Sequence, residues 1–104
     1  MENLEAVMGL IMNAGNAKSD AMEAIQLAKK GDIQAAREKI QVAEQSLVEA
    51  HHSQTALLTK EASGEAVELN LLTVHSQDHL MTSITFVDLA KEFIDVYERI
   101  NNNA

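Results

Sequence analysis

Cysteine is absent from this chain of 104 residues, which removes disulfides, thiolate metal sites and cysteine nucleophiles together. Proline is absent as well, and only four glycines occur. Almost nothing therefore interrupts helix, while Ala, Glu, Lys, Gln, Leu and Met supply strong helix propensity, so the chain reads as all-α. Basic residues are scarce: eight lie scattered among sixteen acidic ones, for a formal net charge of −8. Nucleic acid is not an expected partner, because a phosphate backbone demands clustered Lys and Arg. A basic protein surface matches such a field better. The first apolar run, Val7 to Met12, is short and preceded by Glu2 and Glu5 rather than by basic residues. That pattern is neither a signal peptide nor a membrane span, so no direct membrane insertion and a cytoplasmic residence are expected.

With 46% hydrophobic content, residues 1–104 are expected to form one domain around one core. Two breaks divide it. Lys29-Lys30-Gly31-Asp32 places cations in a last turn, glycine at the left-handed stop, and aspartate as the next N-cap. Ala62-Ser63-Gly64-Glu65 repeats the glycine stop. The spacing predicts helices over about 3–30, 33–62 and 67–101, joined as an antiparallel up-down-up three-helix bundle. In the second helix Ile33, Ala36, Ile40, Ala43, Leu47, Ala50, Gln54 and Leu57 keep alternating three- and four-residue steps. The first carries Leu4, Val7, Met8, Ile11, Met12, Met22 and Ile25 in similar steps. Gly9 and Gly15 lie inside it, each costing about 1 kcal/mol against alanine, so a close helix approach is expected to compensate. The third helix shows two seams. One runs Leu72, His75, His79, Thr82, Phe86, Leu89, Phe93, Val96, Ile100, and the other Leu71, Val74, Asp78, Met81, Thr85, Asp88. One can face the chain's own bundle, which leaves the other for a partner chain. The tail, Asn101 to Ala104, lacks apolar periodicity and is expected to fray.

Polar residues gather at one level of the third helix, in Val74-His75-Ser76-Gln77-Asp78-His79-Leu80-Met81-Thr82. His75 shares a face with Asp78 and His79, and Thr82 lies one step further along. Unpartnered buried polar groups cost roughly 1–3 kcal/mol each, so their concentration asks for a reason. They can be core polar groups that satisfy one another and fix register. Two histidines at i and i+4 with a carboxylate beside the second can instead chelate a divalent ion. A neutral imidazole, with an ordinary pKa of about 6.5, can also attack phosphorus and carry the phosphoryl group covalently. Donors around the phosphoryl oxygens would then come from side chains, with Ser76, Gln77, His79 and Thr82 as the local candidates. Gln77 points away from the His75 face and suits service across a subunit boundary. Asp78 sits on an apolar stripe between Val74 and Met81. If that stripe lines a threefold axis, converging carboxylates require a divalent cation or shared protons; otherwise Asp78 is a half-exposed acceptor for His75 or His79.

The stretch His75-Ser76-Gln77-Asp78-His79-Leu80-Met81-Thr82 closely resembles the active-site signature of the IIA component of the lactose, cellobiose and N,N′-diacetylchitobiose branch of the bacterial sugar phosphotransferase system. Glu49-Ala50-His51, Gln54-Thr55 and Glu61-Ala62-Ser63-Gly64-Glu65 resemble a second family segment in the right order. Ala14-Gly15-Asn16-Ala17-Lys18-Ser19 resembles the family's first-helix pattern. The resemblance implies a homotrimeric phosphotransferase component in which His75 takes a phosphoryl group from phospho-HPr and passes it to the sugar-specific IIB component through a phosphohistidine intermediate. It implies that His79 is an assisting imidazole and that Asp78 is the metal position, with one divalent cation, usually magnesium, shared by three subunits. It further implies uptake of a β-linked disaccharide whose identity is chosen by membrane partners. Ser76 departs from the commoner alanine or glycine. His51 follows the family pattern, whereas adjacent His52 reads as surface variation, since neighbouring helical positions diverge by about 100°. A metal-binding bundle built on His75, Asp78 and His79, or a coiled-coil adaptor without chemistry, remain the alternatives.

Overall fold

The computed structural model describes residues 3–103. Met1, Glu2 and Ala104 lie outside them, and with them the ends of the N-terminal run and of the tail. Three antiparallel helices make a rod of 57 × 20 × 15 Å: α1 (Leu4–Lys29), α2 (Ile33–Ala62) and α3 (Leu71–Asn102). None is long and apolar enough to cross a membrane.

Both glycine stops behave as their chemistry requires. Gly31 (φ +98°) and Gly64 (φ +93°) take the left-handed conformation that glycine adopts without steric cost. Each closes its helix by a pair of reversed hydrogen bonds. Gly31 N–H donates to the Ala28 carbonyl and Asp32 N–H to that of Leu27, while Gly64 and Glu65 donate to Glu61 and Lys60. Asp32 also begins α2, its carboxylate accepting from Ala35 N–H at 3.1 Å.

The start of α3 departs from expectation by four residues. Asn70 is the N-cap, its side-chain oxygen accepting from both the backbone N–H and the hydroxyl of Thr73 at 2.9 Å. Residues 65–69 run irregularly instead, with Val67 packed against the core. Cap chemistry outweighs the good helix composition of that stretch. At the other end the helix continues through Asn101 and Asn102, and Asn103 N–H caps it by donating to the Arg99 and Ile100 carbonyls.

The core is narrow and rich in small side chains. In α1 the buried line is Val7, Leu10, Ala14, Ala17, Ala21, Ala24 and Ala28, all fully inaccessible. This corrects the expected face, because Leu4, Met8, Met12 and Met22 are exposed, and only Val7 of that set is fully buried. The α2 line stands as expected, with Ala36, Ile40, Ala43, Ala50 and Leu57 buried and Leu47 joining the two ends of the core. In α3 neither anticipated seam is the buried one, although Leu72 and Phe86 of the first pack against the core from its edge. The buried stripe lies between them: Thr73, Ser76, Leu80, Ser83, Val87, Ala90 and Ile94. Alanine and serine lines let helices pack closely, and Val7, Leu10, Leu80, Val87 and Ile94 supply the larger fully buried side chains between them. Leu71, Val74, Met81, Leu89, Phe93, Val96 and Ile100 all stand at least half exposed.

Ion pairs lace the helices together outside this core. Arg37 reaches Asp95 at 3.2 Å and Glu98 at 2.9 Å, Lys39 reaches Glu23 at 2.9 Å, and Lys91 reaches Glu44 at 3.3 Å. Exposed pairs of this kind are worth about 0–1 kcal/mol each, so they trim register more than they hold the bundle.

Two substitutions test the packing. Ala21→Leu forces a larger group into the alanine line and is expected to destabilise by about 1–3 kcal/mol. Ser83, whose buried hydroxyl has no hydrogen-bond partner among the described residues, should gain about 0.5–1 kcal/mol on replacement by alanine. Urea unfolding followed by circular dichroism measures both.

Candidate functional site

The second and third turns of α3 present their polar side chains on three different faces. His75 is exposed and His79 half-buried, and their rings stack with centroids 5.6 Å apart and planes 16° from parallel. This is the i, i+4 neighbourhood that the spacing implies. A shallow depression opens beside His75 between Leu71 and Leu72, so the ring is reachable from outside.

His79 lies against α1. A Cβ added to Gly15 would come within 3.3 Å of His79 Nε2, tighter than most side-chain contacts. The helical glycine is thus the notch that admits the imidazole, which is the close approach expected at that position. Gly9 works similarly beside Ser53, at 3.2 Å from its hydroxyl. Lys18, one turn beyond Gly15 on the same face of α1, is close enough for its charge to act on the His79 ring. Burial, then Lys18, then His75 hold the His79 pKa below the usual 6.5, and Asp78 offsets part of this. At neutral pH His79 is therefore an uncharged imidazole.

Gln77 occupies the opposite groove, where its side-chain oxygen accepts from Gln54 Nε2 at 2.8 Å. Within one chain it does not meet His75. Ser76 is fully buried, its hydroxyl donating to the Thr73 carbonyl at 2.6 Å. That removes it from the expected donors around His75, because position 76 belongs to the inward stripe of small residues. The Thr82 hydroxyl donates to the His79 carbonyl at 3.2 Å. Asp78 is exposed between Val74 and Met81, each 56% exposed.

Among the described residues no three His, Asp or Glu side chains come together to hold a metal ion, and the parallel stacking of His75 on His79 does not favour chelation by the pair. His51 and His52, expected to diverge, both line one shallow groove with Leu47, Val48 and Ile84, on the α2–α3 side. Sequence reasoning missed Lys18 as a neighbour of this cluster. The signal available was its spacing of three from Gly15.

Because the folded state holds less proton on His79 than the unfolded chain does, the unfolded state takes up more protons as pH falls below 6.5. Stability contributed by the neutral ring is complete above pH 6.5 and is lost on acidification through the folded-state pKa. Denaturation midpoints measured between pH 8 and 5 should fall, and His79→Gln should flatten part of that fall.

Comparison with known proteins agrees along nearly the whole chain. Residues 5–98 match the family described as "PTS system, Lactose/Cellobiose specific IIA subunit". The chain is 49% identical over 96 residues to a lichenan-specific phosphotransferase enzyme IIA component of Bacillus subtilis, covering 92% of this chain and 87% of that protein. The crystal structure of a cellobiose-specific enzyme IIA from Bacillus anthracis superposes with a TM-score of 0.97 at 44% identity, covering 100% of this chain and 95% of the other. A chain in solution structures of an IIA(chitobiose)–HPr complex superposes with a TM-score of 0.85 at 39% identity, covering 97% and 98%. From the helical bundle, the paired imidazoles and these likenesses together, the chain belongs to the lactose/cellobiose-specific IIA family of the sugar phosphotransferase system.

Proposed function

We propose that this IIA component carries a phosphoryl group on His75, received from phospho-HPr and delivered to a sugar-specific IIB component in the cytoplasm during uptake of a β-linked disaccharide. The observation that carries this reading is the exposed His75 imidazole stacked on a neutral partner ring. In the transfer, an imidazole nitrogen lone pair forms the bond to phosphorus while the donor's bond to phosphorus breaks with its electron pair. The reverse exchange hands the group to IIB. His79, uncharged and stacked at 5.6 Å, supplies a ring that steadies His75 without competing electrostatically for its lone pair. A partner named HPr fits through the solved complex of the similar chitobiose protein, and a surface of net charge −8 suits a basic donor. The similar proteins are named for lichenan and cellobiose. Those names accord with a shared carrier whose sugar is selected elsewhere.

The reading includes a homotrimer. Its support is the exposed apolar stripe of α3, where Leu71, Val74 and Met81 flank a single carboxylate. Such a stripe asks for cover by copies of itself, and Gln77, turned away from its own His75, would then serve a neighbouring subunit's imidazole. Asp78 offers hard oxygen ligands that suit magnesium, and copies of it would hold the ion. When bound, the cation would neutralise carboxylate repulsion between subunits; the transfer needs nothing further from it.

Incubation with phosphoenolpyruvate, enzyme I and HPr should place an acid-labile, base-stable phosphate on the wild type and none on His75→Ala. An unmodified wild type would overturn the carrier. Asp78→Leu should keep or strengthen assembly, since an apolar side chain removes the repulsion. Sedimentation showing only monomers of that variant would place Asp78 off the axis.

A further inference from the structure

The carrier reading leaves one electrostatic question. A phosphoryl group brings close to two negative charges at neutral pH, onto a chain whose net charge is already −8. Helical N–H groups around His75 are occupied in α3, so compensation must come from side chains. The α3 segment offers no cation for it: the sequence holds no Lys or Arg between Lys60 and Lys91. Asp78, one turn from His75, adds negative charge instead.

Lys18 stands where that cation is wanted. It is half-buried on α1, and among the described residues it has no carboxylate partner, unlike Arg37, Lys39 and Lys91, which all form ion pairs. A partly buried cation left without a counter-charge carries a desolvation cost that a ligand can repay. The Gly15 notch, one turn earlier on the same face, brings this part of α1 against His79 Nε2. His79 in turn stacks on His75 at 5.6 Å. Lys18, His79 and His75 therefore follow one another along the α1–α3 groove, and the four-carbon lysine stem gives its ammonium the reach to adjust to a group arriving on the last of them.

We propose that the Lys18 ammonium binds the phosphoryl oxygens of phospho-His75, compensating the charge that transfer delivers. This rests on the carrier reading. The contact is a charge-assisted hydrogen bond; no bond to phosphorus changes and no proton moves.

The test compares wild type with Lys18→Met, Lys18→Arg, and Lys30→Met as a control for net charge at the exposed C-cap of α1, twelve residues further along. Each is phosphorylated by the HPr system, its phosphohistidine is titrated by phosphorus-31 NMR, and its transfer rate is measured, with thermal melting to check the fold. Lys18→Met should raise the midpoint of the phosphoryl group's second ionisation, because the dianion loses its cation, and slow transfer on the order of tenfold. Lys18→Arg should restore most of the rate, and Lys30→Met should leave midpoint and rate unchanged. A phosphoryl midpoint unmoved in Lys18→Met overturns the proposal even if the rate falls, since a merely structural lysine would slow transfer without altering that ionisation. An equal shift in Lys30→Met overturns it too. Wild type that accepts no phosphate overturns the carrier reading and this one with it, whereas normal wild-type phosphorylation with an unaltered Lys18→Met removes Lys18 alone.

Discussion

The run of alanines along α1 governs the rest of the molecule. Ala14, Ala17, Ala21, Ala24 and Ala28 present almost no side-chain bulk, so both neighbouring helices can lie close against that face. The α3 stripe that meets this face alternates small groups, Ser76, Ser83 and Ala90, with the larger Leu80, Val87 and Ile94. Many of the remaining large apolar residues, Met12, Met81, Leu89 and Phe93 among them, face outward. The same proximity favours glycine at position 15, since a methyl group there would crowd the His79 ring. A slim core, an apolar exterior and a glycine beside the His79 ring thus share one geometric cause.

Helix number, the two glycine stops and the inward face of α2 were legible because propensity, capping and periodicity agreed there. The inward faces of α1 and α3 were not. A reading that weights each position by hydrophobic transfer favours Met12 or Phe93 over Ala17 or Ser83, yet axis separation, which is a property of two helices at once, decides which can be inside. The start of α3 was misplaced for a related reason: residues 67–69 compose well as helix, but the Asn70 side chain captures the Thr73 N–H and fixes the boundary. At the site, the sharing of a face by His75 and His79, and the divergence of Gln77, followed from angular spacing alone. Ser76 was misjudged because its role depended on knowing the buried stripe. Lys18 was silent because the register between α1 and α3 is not written in either helix by itself.

The site itself is a surface rather than a cleft. His75 projects from a helix flank beside a shallow depression, and its neighbours are steadied by short contacts within and between helices. That arrangement leaves the ring open to another protein, where a deep pocket would shield it. Burial and a nearby cation keep the His79 ring, stacked on His75, below the usual imidazole pKa.

Asp32 ends one helix and begins the next, so the joint between α1 and α2 contains no spare residue. The passage from α2 to α3 is looser, with residues 65–69 lying outside any helix. The bundle is thus clasped at one end and strapped at the other. Length changes are better tolerated in the strap, which leads into the helix bearing His75 and His79.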